Sequence, residues 1–184
     1  KLLRKIFSIL CLLTLFCNFG VVQAQPITAK SWIVSNAEGQ ILEQANANEV
    51  RSIASISKLI VSMIVLDSHQ DLDEVLPLST KIRDRLPSQL TRGKLLELAL
   101  VSSNNRAAQT LCEQYPGGFN VCVYAMNQKL RSLGMENSLV YEPTGLDQRN
   151  VSTAIELVEL VKAASHYPFI VQVDKEQHFL QTQK

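Results

Sequence analysis

The chain has 184 residues, of which 46% are hydrophobic and 19% charged, with 18 basic residues against 17 acidic ones. This balance of charge excludes the strongly basic surface that nucleic-acid-binding chains carry, and the length suffices for one domain with a hydrophobic core.

The first 24 residues have the pattern of a secretory signal peptide. Three basic residues precede an apolar run, residues 6–22, and small residues then mark a cleavage site after Ala24. We expect export to the periplasm with cleavage at this site; an uncleaved membrane anchor is the alternative, for which the run is short. Cleavage leaves residues 25–184 as one domain with 15 basic and 17 acidic residues and no second long apolar run, so no transmembrane span is expected in it.

Residues 30–45 predict a β-hairpin, because strand-forming residues flank the turn signal at residues 36–39. An apolar segment then predicts a helix whose first turn contains Ser55 and Lys58. Side chains three positions apart share one helix face, so the hydroxyl and the amine should lie side by side. A serine needs a base to act as a nucleophile, and a lysine with a lowered pKa can serve. About one Ser-x-x-Lys is expected by chance in such a chain, so this motif indicates catalysis only together with other motifs further along the sequence.

A polar cluster at residues 101–108 predicts a turn between two helices, the first of which Thr91 could cap. Before that helix, residues 67–89 are polar, and we expect surface turns and short helices there. Ser103 and Asn105 have two possible roles. They could cap the helix that begins near Arg106, or they could project into a cleft, where a hydroxyl passes a proton to a leaving amine and an amide holds a carbonyl.

Two of the four cysteines, Cys11 and Cys17, lie in the predicted signal peptide. The other two, Cys112 and Cys122, flank a turn signal at residues 115–118 and should face the seam of a helical hairpin. A disulfide and a pair of buried thiols are both compatible with this placement. The histidines are isolated and no Cys/His spacing typical of a metal site occurs, so no metal or other cofactor is expected.

Residues 141–147 predict a defined turn because they contain Pro143 and Gly145. Thr153 and Glu156 then have the spacing of a capping box at the start of another helix, which Pro168 should close.

Six short motifs resemble, in order and spacing, those of the low-molecular-mass penicillin-binding proteins. These are serine D-alanyl-D-alanine carboxypeptidases and endopeptidases, and the chain is most similar to the penicillin-binding protein 7 type of endopeptidase. The resemblance covers residues 30–172 and implies an α+β fold of the penicillin-binding/β-lactamase type. The motifs are Ser55-x-x-Lys58 and the segments 103–108, 125–127, 133–135, 142–146 and 152–154.

The resemblance implies a role for each matching residue. Ser55 resembles the nucleophile that forms an acyl-enzyme, and Lys58 its general base. Ser103 matches the serine that relays a proton to the leaving amine, and Asn105 matches the asparagine that positions the substrate amide. The implied partners are peptidoglycan stem peptides as substrates and β-lactams as covalent inhibitors, and no metal takes part.

The sequence departs from the family at one motif, because no Lys-Thr-Gly triplet occurs in it. We therefore expect a chain truncated before that motif, lacking the C-terminal strands, with a two-stranded hairpin as its sheet and impaired hydrolysis. One alternative is a class A-like β-lactamase, in which Glu142 would activate water, although Asn104 replaces the expected aspartate. The other is a non-catalytic exported remnant that binds cell wall.

Overall fold

The computed structural model describes residues 27–182, with side chains described up to residue 175, so the predicted signal peptide and its cleavage site lie outside the described residues. The described part combines six helices with three two-stranded antiparallel sheets. The helices are α1 Ser57–Asp67, α2 Arg92–Val101, α3 Asn105–Glu113, α4 Phe119–Ser132, α5 Ala154–Ala164 and α6 Pro168–Thr182, and the strands are β1 Trp32–Ser35, β2 Ile41–Ala45, β3 Arg51–Ser52, β4 Val75–Pro77, β5 Gln89–Thr91 and β6 Val151–Ser152.

The predicted β-hairpin is present, since β1 pairs with β2 from Trp32 opposite Ala45 to Ser35 opposite Ile41. Two further strand pairs accompany it, so the expectation of a hairpin as the whole sheet is wrong for the described residues. The β3–β6 pair is short, but it brings the chain just before α1 against the chain just before α5. This pairing places two distant segments at the same corner of the molecule.

The third pair, β4–β5, lies where surface turns and short helices were expected. Leu76 and Leu78 are buried at alternate positions, while Pro77 between them is exposed. This two-residue period is that of a strand, and a proline is tolerated at a strand edge because it needs no ladder partner there. The prediction missed this pair because residues 67–89 are polar as a whole and the stretch contains Pro77, a residue typical of turns.

The core is built around α1, which is apolar on nearly all sides. Ile60, Val61 and Met63 have no solvent exposure, and α2, α3, α4 and α5 all contact this helix. A helix that is hydrophobic all round has to be enclosed by other elements. The N-terminal end of α1 is therefore held in a fixed position by the surrounding helices.

The helical hairpin of α3 and α4 is closed by a disulfide between Cys112 and Cys122, whose Cα atoms are 5.4 Å apart. Both residues are fully buried at the seam, where the helical pattern placed them. Of the two alternatives that the sequence left open, the structure contains the disulfide.

Two predicted caps are present. Thr91 Oγ1 accepts a hydrogen bond from the Lys94 N–H at 3.2 Å, and Thr153 Oγ1 accepts one from the Glu156 N–H at 3.3 Å. Glu156 does not complete a capping box, because its carboxylate accepts from the backbone and side-chain N–H groups of Asn137 at 2.8 Å each. The buried carboxylate therefore ties the start of α5 to the preceding loop.

Pro168 begins a helix instead of only closing one. The helix α5 ends at Ala164, and Pro168 is the first residue of α6. Proline suits a first helical position, since its missing N–H has no intrahelical acceptor there. None of the helices within residues 27–182 has the length and hydropathy needed to cross a bilayer.

Candidate active site

Ser55 lies in a 3₁₀ turn, Ala54–Ile56, that leads directly into α1, so the expectation that it belongs to the α-helix itself is wrong by one turn. Ala54 has a φ of +46°, a left-handed conformation that is costly for a residue with a side chain. The buried Ser57 hydroxyl donates to the Ala54 carbonyl at 2.9 Å and holds this turn. The turn presents Ser55 at the surface, on the fixed end of the core helix.

Lys58 lies beside Ser55, as their spacing predicted. Its Nζ is 3.0 Å from the Ser55 Oγ, and the residue is only 2% exposed. Burial lowers the pKa of Lys58 below its ordinary value, and the negative charge of Glu142 partly opposes this effect. A neutral amine next to a hydroxyl can accept its proton, which is what a general base for serine has to do.

Ser103 completes a line of three polar groups. It lies between α2 and α3 with a φ of +50°, and its Oγ donates to the Ser55 Oγ at 2.8 Å. The Ser55 oxygen therefore has the Lys58 amine on one side and the Ser103 hydroxyl on the other. The structure thus brings together three residues that were predicted from two motifs, Ser55-x-x-Lys58 and the segment 103–108.

The cap of α3 is Asn104, and neither Ser103 nor Asn105 takes that position. The Asn104 side chain accepts from the Ala107 N–H at 2.8 Å, and its backbone has the extended conformation of an N-cap. The left-handed φ of Ser103 excludes it from that conformation. Asn105 is the first residue of α3 and half-buried, adjacent in sequence to the cap and two positions after Ser103.

The connection between β4 and β5 is bonded to the turn between α2 and α3. The Asn104 amide donates to Asp84 at 3.0 Å, and the Arg106 guanidinium pairs with the same carboxylate at 3.0 Å. Arg106 also donates to the backbone carbonyl of Ser79 at 2.8 Å. Because these bonds lie on both sides of Asn105, they fix the backbone that carries Ser103 and Asn105.

The sequence did not predict that the loop at residues 142–147 contacts Lys58. The amine donates to the carbonyl of Thr144 at 2.5 Å, across 86 residues of chain. Gly145 has a φ of +82°, and a Cβ at this position would overlap the Ala54 carbonyl and lie 2.8 Å from the Ser55 nitrogen. The Pro143 and Gly145 signals identified a tight turn, but no local pattern indicates which distant segment such a turn touches.

The loop has its own internal support, in which Glu142 and Asn150 are the central residues. Asn150 is fully buried, and its amide donates to the Ser57 hydroxyl at 2.9 Å and to the Glu142 carbonyl at 2.8 Å. The loop is thereby bonded to the first residue of α1. Within the described residues, no group of three or more His, Cys, Asp and Glu side chains could hold a metal ion.

This arrangement is suited to acyl transfer. It supplies an exposed hydroxyl, a buried amine in contact with it, and a second hydroxyl that can carry a proton.

Comparison with known proteins gives matches over most of the chain. The model of the peptidase S11 family, described as D-alanyl-D-alanine carboxypeptidase, matches residues 19–183. A D-alanyl-D-alanine endopeptidase of Pseudomonas aeruginosa is 41% identical over 188 residues, which cover 89% of this chain and 61% of the relative. The D-alanyl-D-alanine endopeptidase of Escherichia coli K12 is 41% identical over 160 residues, covering 82% and 52%. The chain therefore spans between half and two thirds of the length of these relatives.

Solved structures share the fold. A D-alanyl-D-alanine carboxypeptidase of Mycobacterium tuberculosis aligns with a TM-score of 0.72 and 30% identity, over 83% of this chain and 62% of that one. Penicillin-binding protein D2 of Listeria monocytogenes, solved in a cefotaxime-bound form, aligns with a TM-score of 0.69 and 28% identity, over 81% and 68%.

Proposed function

This chain belongs to the peptidase S11 family of D-alanyl-D-alanine carboxypeptidases, and from that premise we propose that it acts on peptidoglycan stem peptides through an acyl-enzyme at Ser55. The predicted family and the predicted α+β fold of the penicillin-binding type are confirmed. The single observation that carries the proposal is the contact of Ser55 Oγ with Lys58 Nζ at 3.0 Å and with Ser103 Oγ at 2.8 Å.

In the proposed reaction, the Ser55 oxygen attacks the carbonyl carbon of the scissile peptide bond while its proton passes to the neutral Lys58 amine. The carbon–nitrogen bond of the peptide then breaks, and the leaving amine takes a proton from the Ser103 hydroxyl. The Lys58 ammonium then gives its proton to the Ser103 oxygen, since the acylated Ser55 oxygen has none to relay. Water later hydrolyses the ester, so that its hydroxyl joins the acyl group and its proton restores the Ser55 hydroxyl. The burial of Lys58 supports this scheme because it favours the neutral amine at the start.

Two further groups complete the proposed substrate contacts. The Ser55 N–H forms part of the oxyanion hole, and a glycine at position 145 keeps a side chain away from that nitrogen, because a Cβ there would lie 2.8 Å from it. Asn105 holds the substrate amide from the start of α3. The hydrogen bond from the adjacent Asn104 to Asp84 keeps this turn in place.

We propose that β-lactams acylate Ser55, since penicillin-binding protein D2 of Listeria monocytogenes, which shares the fold, has been solved in cefotaxime-bound and ampicillin-bound forms. Labelling of the purified protein with fluorescent penicillin tests this proposal. The purified protein should gain one covalent label, and Ser55→Ala should abolish it. Lys58→Ala should slow labelling by about 10²- to 10⁴-fold, as expected for loss of a general base.

Ser103→Ala should also slow labelling, because Ser103 is the proposed proton relay. The neighbouring Ser102→Ala is its matched control: Ser102 is exposed as well, but within the described residues the side chains that bond the Ser55 hydroxyl are Lys58 and Ser103. Absence of any label on the folded protein would refute the proposal and favour a non-catalytic binding protein. Rapid release of the label with turnover would favour the β-lactamase alternative. Release of free D-alanine from purified peptidoglycan fragments would indicate carboxypeptidase action, and conversion of cross-linked fragments to uncross-linked ones would indicate endopeptidase action.

We also propose that the protein is exported to the periplasm, on the basis of the signal-peptide pattern at residues 1–24. N-terminal sequencing of the protein recovered from a periplasmic fraction should begin at Gln25. Recovery with residues 1–24 still attached would contradict the cleavage.

A further inference from the structure

A carboxylate that takes no part in the proposed reaction organises the loop beneath the active site. Glu142 accepts hydrogen bonds from the backbone N–H groups of Thr144 at 2.6 Å, Gly145 at 2.6 Å and Asp147 at 3.3 Å. The Thr144 hydroxyl donates to it at 2.5 Å, and the Asn150 amide donates at 3.1 Å. A carboxylate offers about four lone-pair positions, so these five donors occupy its accepting capacity.

This saturation bears on what Glu142 can do. A general base for a deacylating water needs a free lone pair directed at that water, and the loop's own donors occupy those of Glu142. The carboxylate is thus a structural acceptor with a charge, placed next to the reacting groups without touching them.

The loop that Glu142 organises is in direct contact with the base. The Thr144 carbonyl, which follows Glu142 by two residues, accepts from Lys58 Nζ at 2.5 Å. Asn150 fixes the same loop to α1 through its side chain. The amide nitrogen donates to the Ser57 hydroxyl, and the side-chain oxygen Oδ1 accepts from the Tyr141 N–H at 2.8 Å. A displacement of Glu142 would therefore displace the acceptor of the amine.

We propose that Glu142 is a positioning residue for Lys58, which holds the Thr144 carbonyl against the amine and places a negative charge beside it. This inference rests on the proposed function in one respect, since that function makes Lys58 the general base. The groups that face the amine are the Ser55 hydroxyl, the Thr144 carbonyl and the Glu142 charge, and among the described residues Glu142 is the charged group that acts on it. Its charge opposes the effect of burial on the pKa of Lys58, so that the amine remains a competent base.

The test is an NMR titration of the full protein labelled with ¹³C-lysine, with Lys58→Arg to assign the signal. In Glu142→Gln the titration midpoint of Lys58 should move to lower pH, because the ammonium form loses its attractive charge. Glu156→Gln is the matched control: it also removes a carboxylate that accepts from a backbone N–H, but that carboxylate bonds Asn137 and Ser138. In this control the Lys58 midpoint should not move.

Penicillin acylation measured against pH gives the second readout. In Glu142→Gln the acid limb of the rate profile should move to lower pH with the NMR midpoint, and the plateau should fall since a weaker base remains. A purely structural role would lower the rate at every pH and leave the midpoint in place. That result, with a folded Glu142→Gln protein, would overturn the proposal.

A second variant covers the case in which the first does not fold, and the titration separates this proposal from the proposed function. If Glu142→Gln does not fold, Glu142→Asp retains the charge with a shorter reach, and it should displace the Lys58 midpoint while lowering the plateau; an unchanged midpoint and plateau would again overturn the proposal. The titration requires no turnover. Failure of the wild-type protein to react with penicillin would therefore refute the proposed function alone, and the Lys58 midpoint would still decide the role of Glu142.

Discussion

Replacement of Gly145 by alanine should damage both the stability and the reaction centre. The backbone of Gly145 has a φ of +82°, and the new Cβ would overlap the Ala54 carbonyl and lie 2.8 Å from the Ser55 nitrogen. All of these contacts are with backbone atoms, which cannot move aside as the end of a flexible side chain can. The 3₁₀ turn that carries Ser55 must therefore shift, and its N–H shifts with it.

The expected loss of stability has two parts. A left-handed conformation costs about 1–2 kcal/mol for a residue with a side chain. Overpacking against a rigid neighbour costs about 1–3 kcal/mol more. Gly145→Ala should therefore lower the free energy of unfolding by about 2–5 kcal/mol.

Gly134 provides the matched control, since it has a φ of +73° and a Cβ there would meet nothing within 4 Å. Gly134→Ala should cost only the conformational part, about 1–2 kcal/mol. Urea-induced unfolding of both variants gives the two losses, and the rate of labelling by fluorescent penicillin reports on the Ser55 N–H. Equal losses of stability together with wild-type labelling of Gly145→Ala would refute the reasoning.

Three further predictions follow from the disulfide, the buried amine and the cap of α3. Reduction of the Cys112–Cys122 disulfide, which closes a loop with a sequence separation of 10, should lower the free energy of unfolding by about 3 kcal/mol; urea curves that coincide with and without dithiothreitol would contradict this. The contribution of Lys58 to the stability should rise with pH between its lowered pKa in the folded protein and its ordinary 10.5, because the unfolded chain there binds more protons at this group. Lys58→Met should abolish that rise, and parallel pH profiles of the urea midpoint for the two proteins would count against it. Asn104→Ala should cost about 1 kcal/mol through loss of the N-cap and should slow penicillin labelling more than Ser102→Ala does; equal labelling rates would show that the cap does not position Ser103.

Local patterns were sufficient for the parts of the site that are close in sequence. Ser55 and Lys58 are adjacent because three-residue spacing places side chains on one face in a 3₁₀ turn as well as in an α-helix, so the error in helix type did not affect the contact. The burial of Cys112 and Cys122 at a helical seam also followed from periodicity.

The remaining parts depend on information that a single sequence does not display locally. The contact of Lys58 with Thr144 joins segments 86 residues apart, and nothing in either segment specifies the other. Asn150 reads as an ordinary loop residue, although in the fold it is fully buried and bonds Ser57. At the α3 cap four consecutive residues, 102–105, have suitable serine or asparagine side chains, and the choice of Asn104 is made by the backbone angles, which the composition does not fix.

The bond between Lys58 and the Thr144 carbonyl has a consequence for the order in which the protein matures. The serine and its amine are synthesised early, but the segment that encloses the amine emerges from the ribosome 86 residues later. The burial that lowers the pKa of Lys58 is complete only when this segment lies against the amine. The proposed base of Ser55 therefore depends on a contact between two segments that lie far apart in the chain and meet only in the folded protein.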